Sequence, residues 1–184
     1  TLPRTRADNR CIINQKWNKE MMKEKLFALL AVILLLAGCN NEDDVLEIFT
    51  GKAWKLTYIS TENSHEQYNF WSNDQESEES FKALKESGTF TVSFEGTDLN
   101  GAIGGTFNAK AITATVNGQW NANGENHEMQ TSNTKVSSSE KDKLAQAFIT
   151  GLQNATRYEG DNSNLYIYYE DKDGNIKRMN FKAQ

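Results

Sequence analysis

An apolar run shortly before a cysteine predicts a division of this chain into an N-terminal part that is removed and a part that folds. The run covers residues 26–36, follows Lys23 and Lys25, and leads into the Leu-Ala-Gly-Cys motif at 36–39. A basic start, an apolar stretch and small residues before a break are typical of a secretory signal peptide. The cysteine at the break predicts a lipoprotein signal, with cleavage before Cys39 and lipidation of its thiol and amino group. The run is shorter than the about 20 apolar residues that span a bilayer.

This signal sets the domain organisation that we expect. Residues 1–20 precede the methionines at 21 and 22 and are interpreted as a spurious extension, and residues 21–38 are the lipoprotein signal peptide. Residues 39–50 are predicted to be a lipidated acidic tether, and residues 51–184 a single domain. The stretch Asn-Asn-Glu-Asp-Asp at 40–44 resembles the acidic export signal of surface lipoproteins of the Bacteroidetes. That resemblance implies a lipid anchor in the outer membrane with display on the cell surface; the periplasmic face is the alternative.

Composition excludes several classes of function for the part after the signal. From residue 39 onward the chain has 13 Lys and Arg against 22 Asp and Glu, a net charge of −9. Such an acidic surface repels nucleic acid. Cys39 is the only cysteine in this part, so we expect neither a disulfide nor a cysteine-ligated metal there.

Alternating apolar and polar residues predict a domain rich in β-structure. Strands are predicted near residues 55–60, 90–94, 99–107, 111–116, 129–136, 156–159, 165–169 and 176–181. The Asn-Gly pair at 117–118 and the Asp-Gly pair at 173–174 predict hairpin turns. Residues 61–74 are predicted to be a polar loop, although Tyr68, Phe70 and Trp71 within it require a packing partner.

Two helices are predicted from capping and periodicity. Residues 74–87 form the short one, with Phe81 and Leu84 as its inward side. Residues 138–153 form the long one, because a Ser-x-x-Glu capping box begins at Ser137 and apolar residues recur on one face behind it. We therefore predict the α+β class: a largely antiparallel β-sheet with one long helix packed on it and a second short helix.

The order of these elements resembles the META/HslJ-like domain of bacterial envelope proteins. The residues that carry the resemblance are Trp54 and Leu56; the stretch from Phe94 to Gly101 with Gly104 and Gly105; Glu140, Leu144, Phe148 and Leu152; and Tyr158, Leu165, Ile167 and Phe181. The resemblance implies such a fold in a Bacteroides-type lipoprotein family, and it brings no catalytic residue with it. The Gly-x-x-Trp pattern at 51–54 also resembles lipocalin-like domains, so a lipocalin-like β-barrel is the alternative fold.

The acidic and histidine-containing loops do not predict a metal site. His65 and His127 stand alone in polar loops, and the Asp-x-Asp-Gly stretch at 171–174 lacks the further oxygen ligands of a calcium loop. Hairpin turns and solvated histidines account for these residues. We expect no cofactor.

Tyrosines on one strand are the remaining candidates for binding. If Leu165, Ile167 and Tyr169 face the core, Tyr166 and Tyr168 share the opposite face, where they can stack on a sugar ring together with Trp120. The other interpretation is that loops bury them. We predict a non-enzymatic structural or interaction role in the cell envelope, with a glycan- or small-ligand-binding module as the alternative. The partner is then an envelope protein or a glycan, and the oligomeric state is open.

Overall fold

Eight strands and three helices are present in the residues that this computed structural model describes, 44–99 and 102–184. In chain order they are α1 (Val45–Phe49), β1 (Ala53–Thr61), α2 (Asp74–Lys85), β2 (Thr91–Leu99), β3 (Ala102–Lys110), β4 (Thr115–Ala122), β5 (Met129–Val136), α3 (Lys143–Gln153), β6 (Ala155–Gly160), β7 (Asn164–Glu170) and β8 (Ile176–Ala183). The predicted signal peptide and Cys39 lie outside the described residues. None of the helices in the described ranges has the length and apolar character needed to cross a membrane.

The strands form one antiparallel sheet in the order β5-β4-β3-β2-β1-β8-β7-β6. The sheet curls until its two edge strands approach each other. One bridge joins the residue before β5, Glu128, to Arg157 of β6, and the Tyr158 N–H donates to the His127 carbonyl at 3.0 Å. The sheet is not closed into a barrel, so the alternative of a lipocalin-like β-barrel is wrong.

The core lies on the inner, concave face of this sheet. The side chains of Trp54, Phe94 and Phe107 point inward and are buried, as the strand alternation predicts. Helix α3 covers part of the face through Phe148, whose ring lies 5.7 Å from Phe90 and 6.2 Å from Phe181 between centroids.

Helix α1 fills another part of the inner face. Val45 and Phe49 are fully buried, and the indole Nε1–H of Trp54 donates to the Phe49 carbonyl at 3.2 Å. The tether predicted for residues 39–50 therefore overlaps the folded part of the chain, because the apolar residues of α1 belong to the core.

The prediction of one long and one short helix is wrong. Helices α2 and α3 have 12 and 11 residues. Helix α3 starts at Lys143, because the Asp142 carboxylate caps it by accepting from the Ala145 N–H at 2.8 Å. Glu140 is thus outside the helix; its carboxylate accepts from the N–H groups of residues 112–114, at 3.1, 2.6 and 2.6 Å.

The Asn-Gly pair at 117–118 is also not a turn, since both residues lie within β4. Gly118 stands opposite Phe107 of β3, and a Cβ on it would come within 2.8 Å of the Phe107 ring. The glycine makes room for a core aromatic ring. The turn between β3 and β4 is instead at residues 111–114, where the Ala111 N–H donates to the Ala114 carbonyl at 2.9 Å, so the strand predicted there begins only at Thr115. The Asp-Gly turn at 173–174 is confirmed, with Gly174 at a φ of 80°.

Candidate functional site

Trp120, which the sequence analysis grouped with Tyr166 and Tyr168, does not lie beside them in the structure. Its side chain is on the inner face and only 2% exposed. The ring stacks on Phe49 with a centroid separation of 4.7 Å, and Nε1–H donates to the Glu95 carbonyl at 3.0 Å. Trp120 is therefore a core residue in this structure, and its selection as an exposed stacking residue is corrected.

Tyr166 and Tyr168 do share the outer face of the sheet, but arginines from the neighbouring strands lie over them. The Arg157 guanidinium is 3.7 Å from the centre of the Tyr168 ring, and that of Arg178 is 5.3 Å from Tyr166. Tyr168 is 4% exposed, and its hydroxyl donates to Glu159 at 3.0 Å. The open platform predicted on this face is therefore not formed, because the ring of Tyr168 already has a cationic partner.

A different group of aromatic side chains is partly exposed. Tyr68, Phe70 and Trp71 from the loop before α2, together with Phe81 of α2, form a continuous group that we call the aromatic surface. Ring centroids are 4.8 Å apart for Tyr68 and Phe70, 6.1 Å for Phe70 and Trp71, and 4.9 Å for Trp71 and Phe81. Tyr68 is 37% and Phe81 36% exposed. Phe81, predicted to face inward, thus lies at the surface.

Backbone pairing along β1 places these rings. Strand β2 pairs with β1 only up to Lys55. Beyond that point the loop takes the place of β2: the Tyr68 N–H donates to the Ile59 carbonyl at 2.7 Å, and the Gln67 side chain accepts from the Ile59 N–H at 3.3 Å. The loop is thereby tied to the second half of β1, on the side that β2 leaves unpaired, and this pairing places Tyr68 and the side chains that follow it.

A buried hydroxyl fixes Trp71. The indole Nε1–H donates to the Ser80 Oγ at 2.7 Å, and the Ser80 hydroxyl in turn donates to the Asp142 carboxylate. Ser80 is fully buried, and Asp142 is the residue that caps α3. This chain of hydrogen bonds connects the loop, α2 and α3, and it holds the indole in one orientation.

A buried lysine supports Tyr68 from below. The Lys177 ammonium lies 3.6 Å from the centre of the Tyr68 ring and 3.4 Å from the Asp171 carboxylate, and Lys177 is only 2% exposed. Burial, together with the neighbouring charge of Asp171, raises the pKa of the Tyr169 hydroxyl. Burial acts to raise the pKa of Asp171 as well, but N–H groups of residues 173 and 175 and the Lys177 ammonium lower it overall. Asp171 is therefore ionised near neutral pH.

Three surface clefts surround the aromatic surface. The first, about 520 Å³, lies between Trp71, α2 and residues 139–143. The second, about 340 Å³, is bounded by Trp71, Phe81 and the start of α2. The third, about 380 Å³, lies between the rings of Tyr68 and Phe70, helix α3 and the β7–β8 turn. The exposed rings therefore border space that a partner can enter.

The polar groups near these clefts have structural partners. Ser80 and Asp142 bind each other, and Glu140 holds the β3–β4 turn. Burial acts to raise the pKa of Glu140, but the hydrogen bonds from residues 112–114 lower it overall. His65 lies 3.4 Å from Arg178, and neither it nor His127 borders the three clefts. No group of three or more His, Cys, Asp or Glu that could hold a metal is found in residues 44–99 and 102–184.

The sequence contained a signal for the aromatic surface that was not used for site prediction. Three aromatic residues occur within four positions, 68–71, of an otherwise polar segment. Aromatic residues in a loop are either buried against the rest of the protein or covered by a partner, and here they are only partly buried. What the sequence did not provide was the pairing with Ile59 that places them together.

Comparison with known proteins supports the fold and identifies the family. A crystal structure of a DUF4847 family protein from Bacteroides vulgatus ATCC 8482 aligns with a TM-score of 0.53 and 20% identity, over 75% of this chain and 96% of that one. At this identity the likeness concerns the fold. No curated protein matches the chain in sequence. Residues 40–183 match the domain of unknown function DUF4847, and the chain therefore belongs to the DUF4847 family.

Proposed function

We propose that this protein is a lipid-anchored domain of the bacterial envelope with a non-enzymatic interaction role, and that the aromatic surface binds its partner. The observation that carries the proposal is the exposure of Tyr68 and Phe81 in a continuous group of four rings. Aromatic side chains are enriched in the buried centres of protein interfaces. They also offer a large contact area and lose little conformational entropy when they bind.

The position of the anchor supports this use of the surface. Cys39 precedes Val45 by six positions, a distance of at most about 20 Å in a fully extended chain. Helix α1 packs beside the first half of β1, through Trp54, whereas the loop with the aromatic surface leaves the last half, at Ile59 and Thr61. Thr61 is seven residue steps along the strand from Trp54, a distance of about 23 Å. A lipid on Cys39 would hold the α1 end near the membrane and leave the aromatic surface accessible. Cell-surface display in the outer membrane is the orientation that we propose.

The hydrogen bonds around the first cleft support a non-enzymatic role. A nucleophilic serine needs a base that is available to take its proton. The Ser80 hydroxyl instead sits between the Trp71 indole and Asp142, and both Asp142 and Glu140 are bound to backbone N–H groups. These side chains hold the loop, the turn and α3 in position.

The resemblance to the META/HslJ-like domain remains part of the proposal at the level of the fold. Its support is that Leu144, Phe148 and Leu152 form the buried side of α3, and that Leu165 and Ile167 are buried on β7. An experimental structure of this chain tests the relationship: a strand order different from that of the META/HslJ-like domain would refute it.

Lipidation is tested by labelling cells with a radioactive fatty acid. The wild-type chain should carry the label, and the Cys39→Ala variant should not. Label on the variant would show that the anchor is elsewhere or that the labelling does not report on this residue. Protease treatment of intact cells then tests display on the cell surface, where degradation of the wild type is expected.

The interaction role is tested by purifying the full chain from membranes and comparing the material that co-purifies. Phe81→Ser changes the aromatic surface, whereas Val136→Ser changes a side chain of similar exposure, 38%, at the end of β5. We expect Phe81→Ser to lose a co-purifying protein or carbohydrate that wild type and Val136→Ser retain. Equal recovery from both variants would contradict a role for the aromatic surface.

A further inference from the structure

We infer that the third cleft, beside Tyr68 and Phe70, binds a neutral sugar ring. The inference rests on the proposed interaction role of the aromatic surface and names the chemistry of its ligand. A pyranose ring has an apolar face of C–H groups and a rim of hydroxyl groups. It therefore needs an aromatic face on one side and both hydrogen-bond donors and acceptors around it.

The cleft provides an aromatic wall. Lys177 lies over the Tyr68 ring at 3.6 Å and is buried, so the exposed part of Tyr68 is its other face and its edge. Phe70 stands against this ring at 4.8 Å, with an interplanar angle of 63°. The ammonium behind the ring and the phenyl ring beside it limit the orientations that Tyr68 can adopt, so less entropy is lost on binding.

Polar side chains of opposite charge surround this wall. Lys143 and Lys172 contribute two positive charges, and Asp171 and Asp173 contribute two negative charges. The buried Lys177 lies 3.4 Å from Asp171 and adds one positive charge behind the wall. Positive and negative charges around the cleft therefore nearly balance, so the net attraction to an ion is weak, and the cleft favours a neutral ligand that hydrogen-bonds to both kinds of group.

Neutral amide and hydroxyl groups complete the lining. Asn69, Gln146 and Thr150 border the cleft from the loop and from α3. Amide and hydroxyl side chains each offer donors and acceptors, which matches the hydroxyl groups of a sugar. The cleft volume, about 380 Å³, lies within the range of about 300–1,000 Å³ that small-molecule sites occupy.

The outer-face tyrosines provide the matched comparison. Tyr166 is half-buried on a strand surface, and the guanidinium of Arg178, which is itself partly exposed, lies over its ring at 5.3 Å. The cation at Tyr68, Lys177, is buried and lies behind the ring, whereas a sugar that stacks on the solvent side of Tyr166 would have to displace Arg178. We therefore assign sugar binding to Tyr68 and not to the face that carries Tyr166 and Tyr168.

The experiment uses the full chain, purified in a polyoxyethylene detergent that has no sugar headgroup. It is applied to an array of immobilised neutral oligosaccharides with glucose, galactose, mannose or N-acetylglucosamine ends, together with sulfated forms. The affinity for the best neutral oligosaccharide is then measured by calorimetry for wild type, Tyr68→Ala, Tyr68→Leu and Tyr166→Ala. Tyr68→Leu keeps apolar packing against Phe70 without an aromatic face, and a urea melt of each variant checks that it is folded.

We expect both Tyr68 variants to bind about tenfold more weakly or worse, the effect of losing one stacking contact. Tyr166→Ala should stay within about twofold of wild type. Binding unchanged in the folded Tyr68→Leu, an equal loss in Tyr166→Ala, or a preference for sulfated forms would each overturn the inference. Absence of binding to the whole array would also overturn it. The interaction role itself would then still be judged by the comparison of Phe81→Ser with Val136→Ser.

Discussion

The molecule contains two groups of touching aromatic rings with similar geometry and opposite exposure. The inner group, Phe49, Phe94, Trp120 and Tyr158, has centroid separations of 4.7–5.4 Å, and each of its members is at most 2% exposed. The aromatic surface has separations of 4.8–6.1 Å, yet Tyr68 and Phe81 are more than one third exposed. Contact between rings thus does not by itself make a core. The position relative to the sheet decides whether a group of rings is sealed or accessible.

The two groups are also held in place differently. The inner rings fill the concave side of the sheet and are enclosed by strands and by α1. The surface rings depend on a few polar contacts: Trp71 on Ser80, Tyr68 on Lys177, and the loop backbone on Ile59. We therefore expect stability to depend on the inner group and binding to depend on the surface group.

Phe49→Ala should give the largest loss of stability. It removes a ring that touches Phe94, Trp120 and Tyr158 and leaves a cavity, which costs about 3–5 kcal/mol for an aromatic residue. Urea unfolding followed by circular dichroism measures it. Phe81→Ala is the counterpart in the surface group and should cost clearly less, because its ring is already 36% exposed. Equal losses would remove the distinction between the two groups.

Ser80→Ala should have an intermediate effect. It removes the buried hydroxyl between Trp71 and Asp142 and leaves the partly buried indole N–H without its acceptor, which costs about 1–3 kcal/mol. Ser77→Ala on the same helix is the control, since its exposed hydroxyl bonds only the Asp74 carbonyl. The free energy of unfolding should be lower for Ser80→Ala than for Ser77→Ala. Equal free energies of unfolding would show that the buried hydroxyl does not support Trp71.

Glu140 should make a smaller contribution that depends on pH. Because its pKa in the folded protein is below the usual value of 4.5, its contribution is complete above about that pH and is lost as the pH falls through the folded pKa. The difference in urea midpoint between wild type and Glu140→Gln should therefore shrink between about pH 6 and about pH 3. Glu78→Gln is the control, because it removes the same charge from the exposed side of α2. A constant difference across this range would show that the carboxylate charge does not hold the β3–β4 turn.

Much of the sheet could be predicted from local patterns. Strands with strict alternation, such as the one through Leu165 and Ile167, and the Asp-Gly turn at 173–174 appear as predicted. The errors occur where a distant residue decides the outcome. Gly118 lies in a strand because Phe107 needs the space, and Glu140 leaves the helix because the turn at 112–114 offers it three N–H donors.

The site was the least predictable part, for the same reason. The alternation of side chains along a strand correctly placed Tyr166 and Tyr168 on one face of the sheet. It carried no information on Arg157 and Arg178, which come from neighbouring strands. The alternation of apolar and polar residues around Trp120 is the same whether its side chain packs in the core or binds a ligand. The aromatic surface joins a loop and a helix through tertiary contacts, and no local pattern describes such a group.

Photocrosslinking in intact cells tests the central claim most directly. The photoreactive residue p-benzoylphenylalanine is placed at Phe81 in the aromatic surface or at Val136, which is equally exposed but lies at the end of β5. After irradiation, we expect a slower-migrating species with the residue at position 81 and none with it at position 136. Adducts of equal yield at both positions, or an adduct only at position 136, would contradict the account that the exposed rings form the interaction surface.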